Sequence, residues 1–401
     1  MNIINLYDKY FSTEIRNILL KCSEMASFTG CKIYLIGGIV RDMLLNIPSH
    51  DIDITVIGNC YELGKALEQK FGAKILSIHK EFGGIKISLD NENIDFTSTR
   101  SEKYPQKGHL PVTKLGCSLK EDVIRRDFTV NSLAFSLNKD NFGELIDFVN
   151  GFEDLKKKEL KILHKNSFID DPTRIIRGLK YSVRLGFELN NETKKLQDKY
   201  MENINYDMGY NRIKNEIKLT FEQNSSEALS RFINQKIYKL ISQEIPPKIT
   251  FNIEEVINKY KPENIWIIYF GLFIINKTEE FLTKFELTKY EKNIIINAKK
   301  IISSKIKNDN FEIYKALCKS SVEALILASN FSNKEQITKF LDELKDIKIS
   351  ITGKDLINLG YKPSKSFKSA LDHVLRHKLN NSTLTRAEEI ILINQYFSAE
   401  L

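Results

Sequence analysis

Long apolar runs are missing from this 401-residue chain. The longest, Ile265 to Ile275, spans eleven residues. A membrane span needs about twenty, so the run reads as a buried helix. The first twenty residues mix acids and bases with apolar side chains, which excludes a signal peptide. Cysteine is scarce. There are five, scattered, with no Cys-x-x-Cys pair and an odd total. This argues against a disulfide framework or structural zinc and fits reduced thiols in the cytoplasm. His373 and His377 share a helix face by spacing, but no third ligand follows closely, so they read as a solvated face. Internal repeats and a dense basic tail are also absent.

What is present is ordinary globular composition, 42% hydrophobic and 28% charged. The length implies about two to four domains. Lys plus Arg is 60 against 52 acids, a net charge of +8. That excess admits either a polyanion partner or a general enrichment in Lys, Asn and Ile.

Periodicity divides the chain near residue 150. Residues 1–28 read as helix, Cys31 to Ile36 as a buried strand running into Gly37-Gly38, and Ile39 to Leu45 as a helical turn. Ile52 to Ile57 is a β-branched strand, 60–71 a helix, and Lys74 to His79, Ile85 to Leu89 and Ile94 to Thr97 further strands. Residues 98–120 read as a long polar connection, functional or mobile. Beyond about 155 helical patterns dominate. The expected architecture is α+β over 1–150 followed by all-α segments over 151–220, 221–350 and 351–401.

Three clusters carry chemistry. The first is Gly37-Gly38-Ile39-Val40-Arg41-Asp42, then Asp51-Ile52-Asp53. Alternate strand residues share a face, so Asp51 and Asp53 lie about 6–7 Å apart along the chain. Two such carboxylates can hold two Mg²⁺ ions for phosphoryl transfer, one at an attacking hydroxyl and one at the leaving pyrophosphate. The glycines let backbone N–H groups approach a triphosphate. Asp95, in Ile94-Asp95-Phe96, is either a third carboxylate or an outward-facing strand residue. The second cluster is Arg125-Arg126-Asp127-Phe128-Thr129-Val130-Asn131. Its arginines suit phosphate oxygens and its acid and amide suit ribose hydroxyls; a salt-bridged helix start is the structural alternative. The third is Asp170-Asp171-Pro172-Thr173-Arg174, with Arg177 beyond. Asp171 and Arg174 are three apart on one helix face and can read a base edge without a template, or simply cap and pair. Arg212 and Glu216, four apart, read as a structural pair.

In this order the motifs resemble those of the class II tRNA nucleotidyltransferases, the bacterial CCA-adding, A-adding and poly(A) polymerase family. LIGGIVRD with DID resembles motif A, RRDFTVNSLAF motif B, DFVNGFEDL motif C, DDPTRIIR motif D and GYNRIKNEI motif E. TGKDLINLGYKPS resembles the C-terminal body more loosely. The resemblance implies a nucleotidyltransferase palm followed by all-α neck, body and tail. It implies metal at Asp51 and Asp53, and nucleotide contacts from Gly37, Gly38, Arg41, Arg125, Arg126, Asp127, Asn131 and Arg177. Asp171 and Arg174 would select CTP and ATP, with Asp170 in place of the family's usual Glu, a shorter reach. The 98–120 span shows no obvious deletion of the kind found in enzymes that add only CC. The 144–174 stretch looks most like the A-adding branch. Full CCA addition and poly(A) synthesis are alternatives, as is a non-catalytic RNA-binding module on the same scaffold; an antibiotic nucleotidyltransferase fits less well because motifs B and D are present. For tRNA, the candidates are Lys354, Lys362, Lys365, Lys368, Arg376 and Lys378, in a stretch with six bases and two acids. No membrane partner is expected.

Overall fold

The paired acids ride on a seven-stranded mixed sheet. The computed structural model describes residues 1–49, 51–205 and 209–399, and these form two compact units. The first holds 1–216 and 231–240; the second holds 217–230 and 241–401.

In the first unit, helices α1 (Ile4–Tyr10) and α2 (Thr13–Phe28) precede strand β1 (Lys32–Ile36) and helix α3 (Gly38–Leu45). Strand β2 (Ile52–Ile57), helix α4 (Cys60–Phe71) and strands β3 (Lys74–His79), β4 (Gly84–Leu89) and β5 (Glu92–Ser98) follow. Local capping sets the helix starts: Ser12 accepts from the Ile15 N–H and Asn59 from the Tyr61 N–H, satisfying donors a helix leaves open.

Residues 98–120 are not a bare connection. They contain a hairpin, β6 (Arg100–Lys103) with β7 (Val112–Leu115), paired from Arg100↔Leu115 to Lys103↔Val112. Its strands are short, and the apolar Val112 and Leu115 of the second are exposed. The Arg100 N–H anchors them by donating to Asp122 Oδ1 at 3.1 Å, a partner that local patterning does not show. Next come α5 (Leu119–Ile124), β8 (Ala134–Ser136), β9 (Leu145–Ile146), α6 (Gly151–Lys157), β10 (Glu159–Leu160), α7 (Ser167–Asp170), α8 (Thr173–Leu185), β11 (Glu188–Leu189), α9 (Asn191–Glu202) and α10 (Tyr210–Phe221).

The main sheet has the order β3-β4-β5-β2-β1-β8-β9. Neighbours are antiparallel except β2 and β5, which run parallel with Asp53 opposite Asp95. Strand alternation divides its faces. Ile54, Ile85, Ile87, Ile94 and Phe96 are buried in one core with Leu19, Leu63 and Leu67 of α2 and α4. The other face carries Asp53, Asp95 and Lys86.

The second unit is helical. The apolar run forms a helix, Ile265–Ile274, with all but its first residue buried. A Cβ on Gly271 would lie 2.5 Å from Leu327 Cδ2, so glycine permits the close approach of Val322–Ser329. Towards the C-terminus Ile351, Leu356, Ala370, Val374 and Ile393 form a separate small core. Among the described residues no helix is long and apolar enough to cross a membrane.

Candidate nucleotidyl-transfer site

Gly37 closes the first strand with φ +81 and ψ −131, a conformation that favours glycine. The missing side chain matters as well. A Cβ there would sit 3.3 Å from an Arg126 guanidinium nitrogen, so Arg126 lies directly over the turn. Gly38 opens α3, where a Cβ would make only ordinary contact with Arg41.

The Asp53 side chain reaches solvent from β2 although protein packs closely around it, and Asp51 is exposed immediately before the strand. Burial by surrounding protein pushes the Asp53 carboxyl above its ordinary range, and the charges of Asp95 and Asp51 push it further; Arg126 and Lys86 act in the opposite sense. Crowded carboxylates with solvent access are a donor set that a hard divalent cation relieves. Asp51 and Asp53 therefore fit Mg²⁺, with positions left for phosphate oxygens. Asp95 lies beside Asp53 but is bound to Lys86 Nζ at 3.0 Å, and among the described residues no three His, Cys, Asp or Glu gather as a closed metal cluster.

The two adjacent arginines have different surroundings. Arg125 donates to Asp122 Oδ1 at 2.8 Å and Glu102 Oε1 at 2.8 Å, and its own carbonyl accepts from Arg174. Arg126 donates to Asp122 Oδ2 at 3.0 Å and Thr55 Oγ1 at 3.4 Å, while its buried Nε has no partner. An unsatisfied buried guanidinium N–H is costly, and it sits beside the glycine turn and the Asp53 charge. Asp122 and Glu102, three and 23 residues before Arg125, escaped sequence reading; the Asp122 spacing was the available signal.

Asp127 is buried. Burial opposes its charge, but Arg177 and the Asn131 amide hold its carboxyl down to about 2. Asp127 Oδ1 accepts from the Phe128 N–H at 2.8 Å and Asn131 Nδ2 at 3.1 Å. Arg177 Nε reaches Oδ2 at 2.8 Å. Asn131 also accepts from the buried Arg41, whose guanidinium lies 5.2 Å over the Tyr181 ring and pairs with Asp42 at 2.7 Å. Arg184 of α8 closes the network on Asp42 Oδ2 at 3.0 Å. Arg41, Asp127, Asn131 and Arg177 are thus brought together, joined by Asp42 of the first cluster and by Tyr181 and Arg184, which the sequence did not single out.

Asp171 and Arg174 do not pair through their side chains. Asp171 Oδ1 accepts from the Thr173 N–H at 3.1 Å and Thr173 Oγ1 at 2.6 Å, capping α8. Arg174 donates to Ser167 Oγ at 2.6 Å and to the Arg125 carbonyl at 2.8 Å. Asp170 faces His164 at 3.8 Å; burial, then the Arg174 charge, lower the His164 pKa. Arg212 corrects the sequence reading. It pairs with Asp171 Oδ2 at 2.7 Å rather than with Glu216, and Glu216 takes Arg177 at 3.2 Å and Lys180 at 3.0 Å. Asp147 of motif C caps α6, accepting from the Val149, Gly151 and Phe152 N–H groups.

In the second unit Lys354, Lys362, Lys365 and Lys368 are exposed. Lys378 is not on an open basic face. It is largely buried, pairs with Glu389 at 3.2 Å and donates to the Leu384 carbonyl, because that carboxylate is buried and needs a counter-charge. Arg376 pairs with Asp309 at 3.3 Å and lies 4.2 Å over Phe311. His373 and His377 rings are 4.7 Å apart, and no third ligand joins them among the described residues.

A mixed sheet with a glycine turn facing a strand of paired acids, flanked by an arginine with a free N–H, is the plan of a nucleotidyltransferase palm. Residues 33–161 match the poly A polymerase head domain. The chain is 27% identical to an A-adding tRNA nucleotidyltransferase of Geobacter sulfurreducens over 97% of its own length and 48% of the relative's. It is 31% identical to one of Aquifex aeolicus over 79% and 41%. It therefore spans about half or less of those two proteins. A solved CCA-adding enzyme in an apo form superposes with a TM-score of 0.83 at 25% identity, covering 100% of this chain and 99% of that one. The chain is thus similar to tRNA nucleotidyltransferases along its length and carries a poly A polymerase head domain at residues 33–161.

Proposed function

We propose that the protein is a tRNA nucleotidyltransferase that extends the 3′ end of tRNA without a nucleic-acid template, releasing pyrophosphate, and that its addition is the terminal adenosine, from ATP. The observation that carries this is the meeting of Asp51, Asp53, the Gly37 turn and Arg126 on one side of the palm. The A-adding names of the two relatives and the undeleted 98–120 span support the adenosine. Asp51 and Asp53 would hold two Mg²⁺ ions, which when bound supply positive charge to the triphosphate and acidify the attacking hydroxyl. The chain's own part is placement. Gly37 leaves room for phosphate against the backbone. Arg126, whose guanidinium lies over the Gly37 turn, brings positive charge to the phosphate. Arg41, Asp127, Asn131 and Arg177 hold a rigid polar wall suited to a ribose. Asp171 and Arg174 face the base. The finer division near 150, 220 and 350 into palm, neck, body and tail belongs to the same proposal, with Lys354, Lys362, Lys365 and Lys368 meeting tRNA phosphates. So does a cytoplasmic location.

The test is extension of tRNAs ending in each partial CCA, with labelled CTP or ATP and Mg²⁺. Extension of tRNA-CC by a single adenosine is expected. Addition of C and C as well would make it a full CCA-adding enzyme, and many adenosines on unrelated RNA a poly(A) polymerase. Tight tRNA binding without incorporation would overturn the enzymatic reading.

A further inference from the structure

Arg212 was set aside in the sequence as half of a helix pair, yet it joins two segments distant in the chain. Its Nη2 reaches Asp171 Oδ2 at 2.7 Å, and its Nη1 donates to the Gly108 carbonyl at 3.0 Å. Gly108 lies in the loop of the β6–β7 hairpin, has φ +76, and donates its own N–H to the Asp170 carbonyl at 3.2 Å. Both peptide groups at that loop position are therefore bound, one to residue 170 and one to Arg212. Asp171 Oδ1 already takes two donors from Thr173. A carboxylate has about four acceptor sites, so one acceptor position remains on Oδ2 beside Arg212.

We propose that Arg212 is a positioning residue for nucleobase selection: it fixes the direction of the open Asp171 acceptor and couples the hairpin loop to it. This rests on the nucleotidyl-transfer reading above. The chemistry is simple. Adenine N6 and cytosine N4 carry amino donors, where guanine and uracil present carbonyl acceptors. A carboxylate held in one orientation accepts from the first pair and repels the second. Without Arg212 the carboxylate turns, the loop loosens, and discrimination falls more than turnover. Lysine is a point charge without the planar fork, so it can restore the contact to Asp171 but not both contacts in one geometry.

The wild type, Arg212→Ala, Arg212→Lys and Gly108→Ala are compared on tRNA ending in CC with ATP and with GTP. Gly108→Ala strains the left-handed loop position and shifts its carbonyl without touching Arg212. The expected result for Arg212→Ala is a loss of at least tenfold in the ATP-to-GTP ratio of kcat/KM, with KM for ATP changing more than kcat. Gly108→Ala moves the ratio the same way, and Arg212→Lys recovers part of it. Ratios within twofold of wild type in Arg212→Ala and Gly108→Ala overturn the proposal, as does a uniform fall for both nucleotides. If Arg212→Ala does not fold, Gly108→Ala decides by the same criterion. A wild type that extends no tRNA overturns the functional reading instead. Calorimetric titration of the same proteins with ATP and GTP then tests Arg212 separately, through the ratio of the two Kd values.

Discussion

Gly151 lies so close beneath Thr129 that a Cβ added to it would be 2.2 Å from the Thr129 carbonyl oxygen and 2.9 Å from its carbon. Neither partner can give way easily. Thr129 is held by its N–H to the Lys161 carbonyl at 2.8 Å and by its hydroxyl to Asp154 at 2.7 Å, and Gly151 by its N–H to Asp147 at 3.0 Å. Gly151→Ala is expected to destabilise the protein by ~3 kcal/mol through overpacking against backbone. Urea unfolding followed by circular dichroism measures it, and an unchanged midpoint would refute the contact.

Asp53 supports a prediction about metal. Its carboxylate is crowded by Asp95 and Asp51, so a bound divalent cation stabilises the folded protein by mass action, about 2.7 kcal/mol at a hundred times Kd. Mg²⁺ should raise the Tm of the wild type and leave that of Asp53→Asn nearly unchanged. Asp51→Ala and Asp53→Ala should each lower nucleotide incorporation by ~1,000-fold or more, since an electrostatic clamp on the triphosphate is lost. Robust incorporation by either variant would remove that residue from the site.

Asp127 governs an acid limb. Its carboxyl is held at about 2 against an ordinary 3.8, a depressed value. The stability it contributes is therefore complete above about pH 4 and is lost as pH falls through about 2. The size is roughly 2 kcal/mol. Asp127→Asn should be less stable at neutral pH and should lose less between pH 4 and pH 2 than the wild type. Equal slopes of unfolding midpoint against pH in that window would show that Arg177 does not hold the charge.

Lys378 tests stability where the sequence suggested RNA. Lys378→Ala leaves the buried Glu389 without its counter-ion and should cost ~3 kcal/mol. Fluorescence of Trp266, the chain's single tryptophan and a residue of the same unit, follows it in urea. Lys365→Ala, at an exposed position, should leave the midpoint alone. A Lys378→Ala variant as stable as wild type would mean that the ion pair contributes nothing.

These cases show what sequence could and could not reveal. The strand that carries Asp53 and the Gly37-Gly38 turn were legible because strand alternation and turn chemistry act over neighbouring residues. The apolar helix at 265–274 was legible because its composition allows little else. The hairpin at 100–115 was hidden because its short strands bury no apolar face and are pinned by Asp122. Arg125 and Arg126 look equivalent in sequence, yet Glu102 and Asp122 bind one heavily and leave the other a free N–H. Arg212 and Glu216 have the spacing of a pair, but each meets a stronger partner on another segment. Lys378 looked like its exposed neighbours, and only Glu389, eleven positions on, shows otherwise.

The order in which the chain builds its two units has one more consequence. Residues 217–230 join the second unit, and 231–240 then return to the first, bringing the fully buried Phe232, Ile237 and Leu240. A single breakpoint after Glu216 would strip those side chains from the unit that carries the acids. Exchange of the second unit between relatives therefore requires at least two junctions.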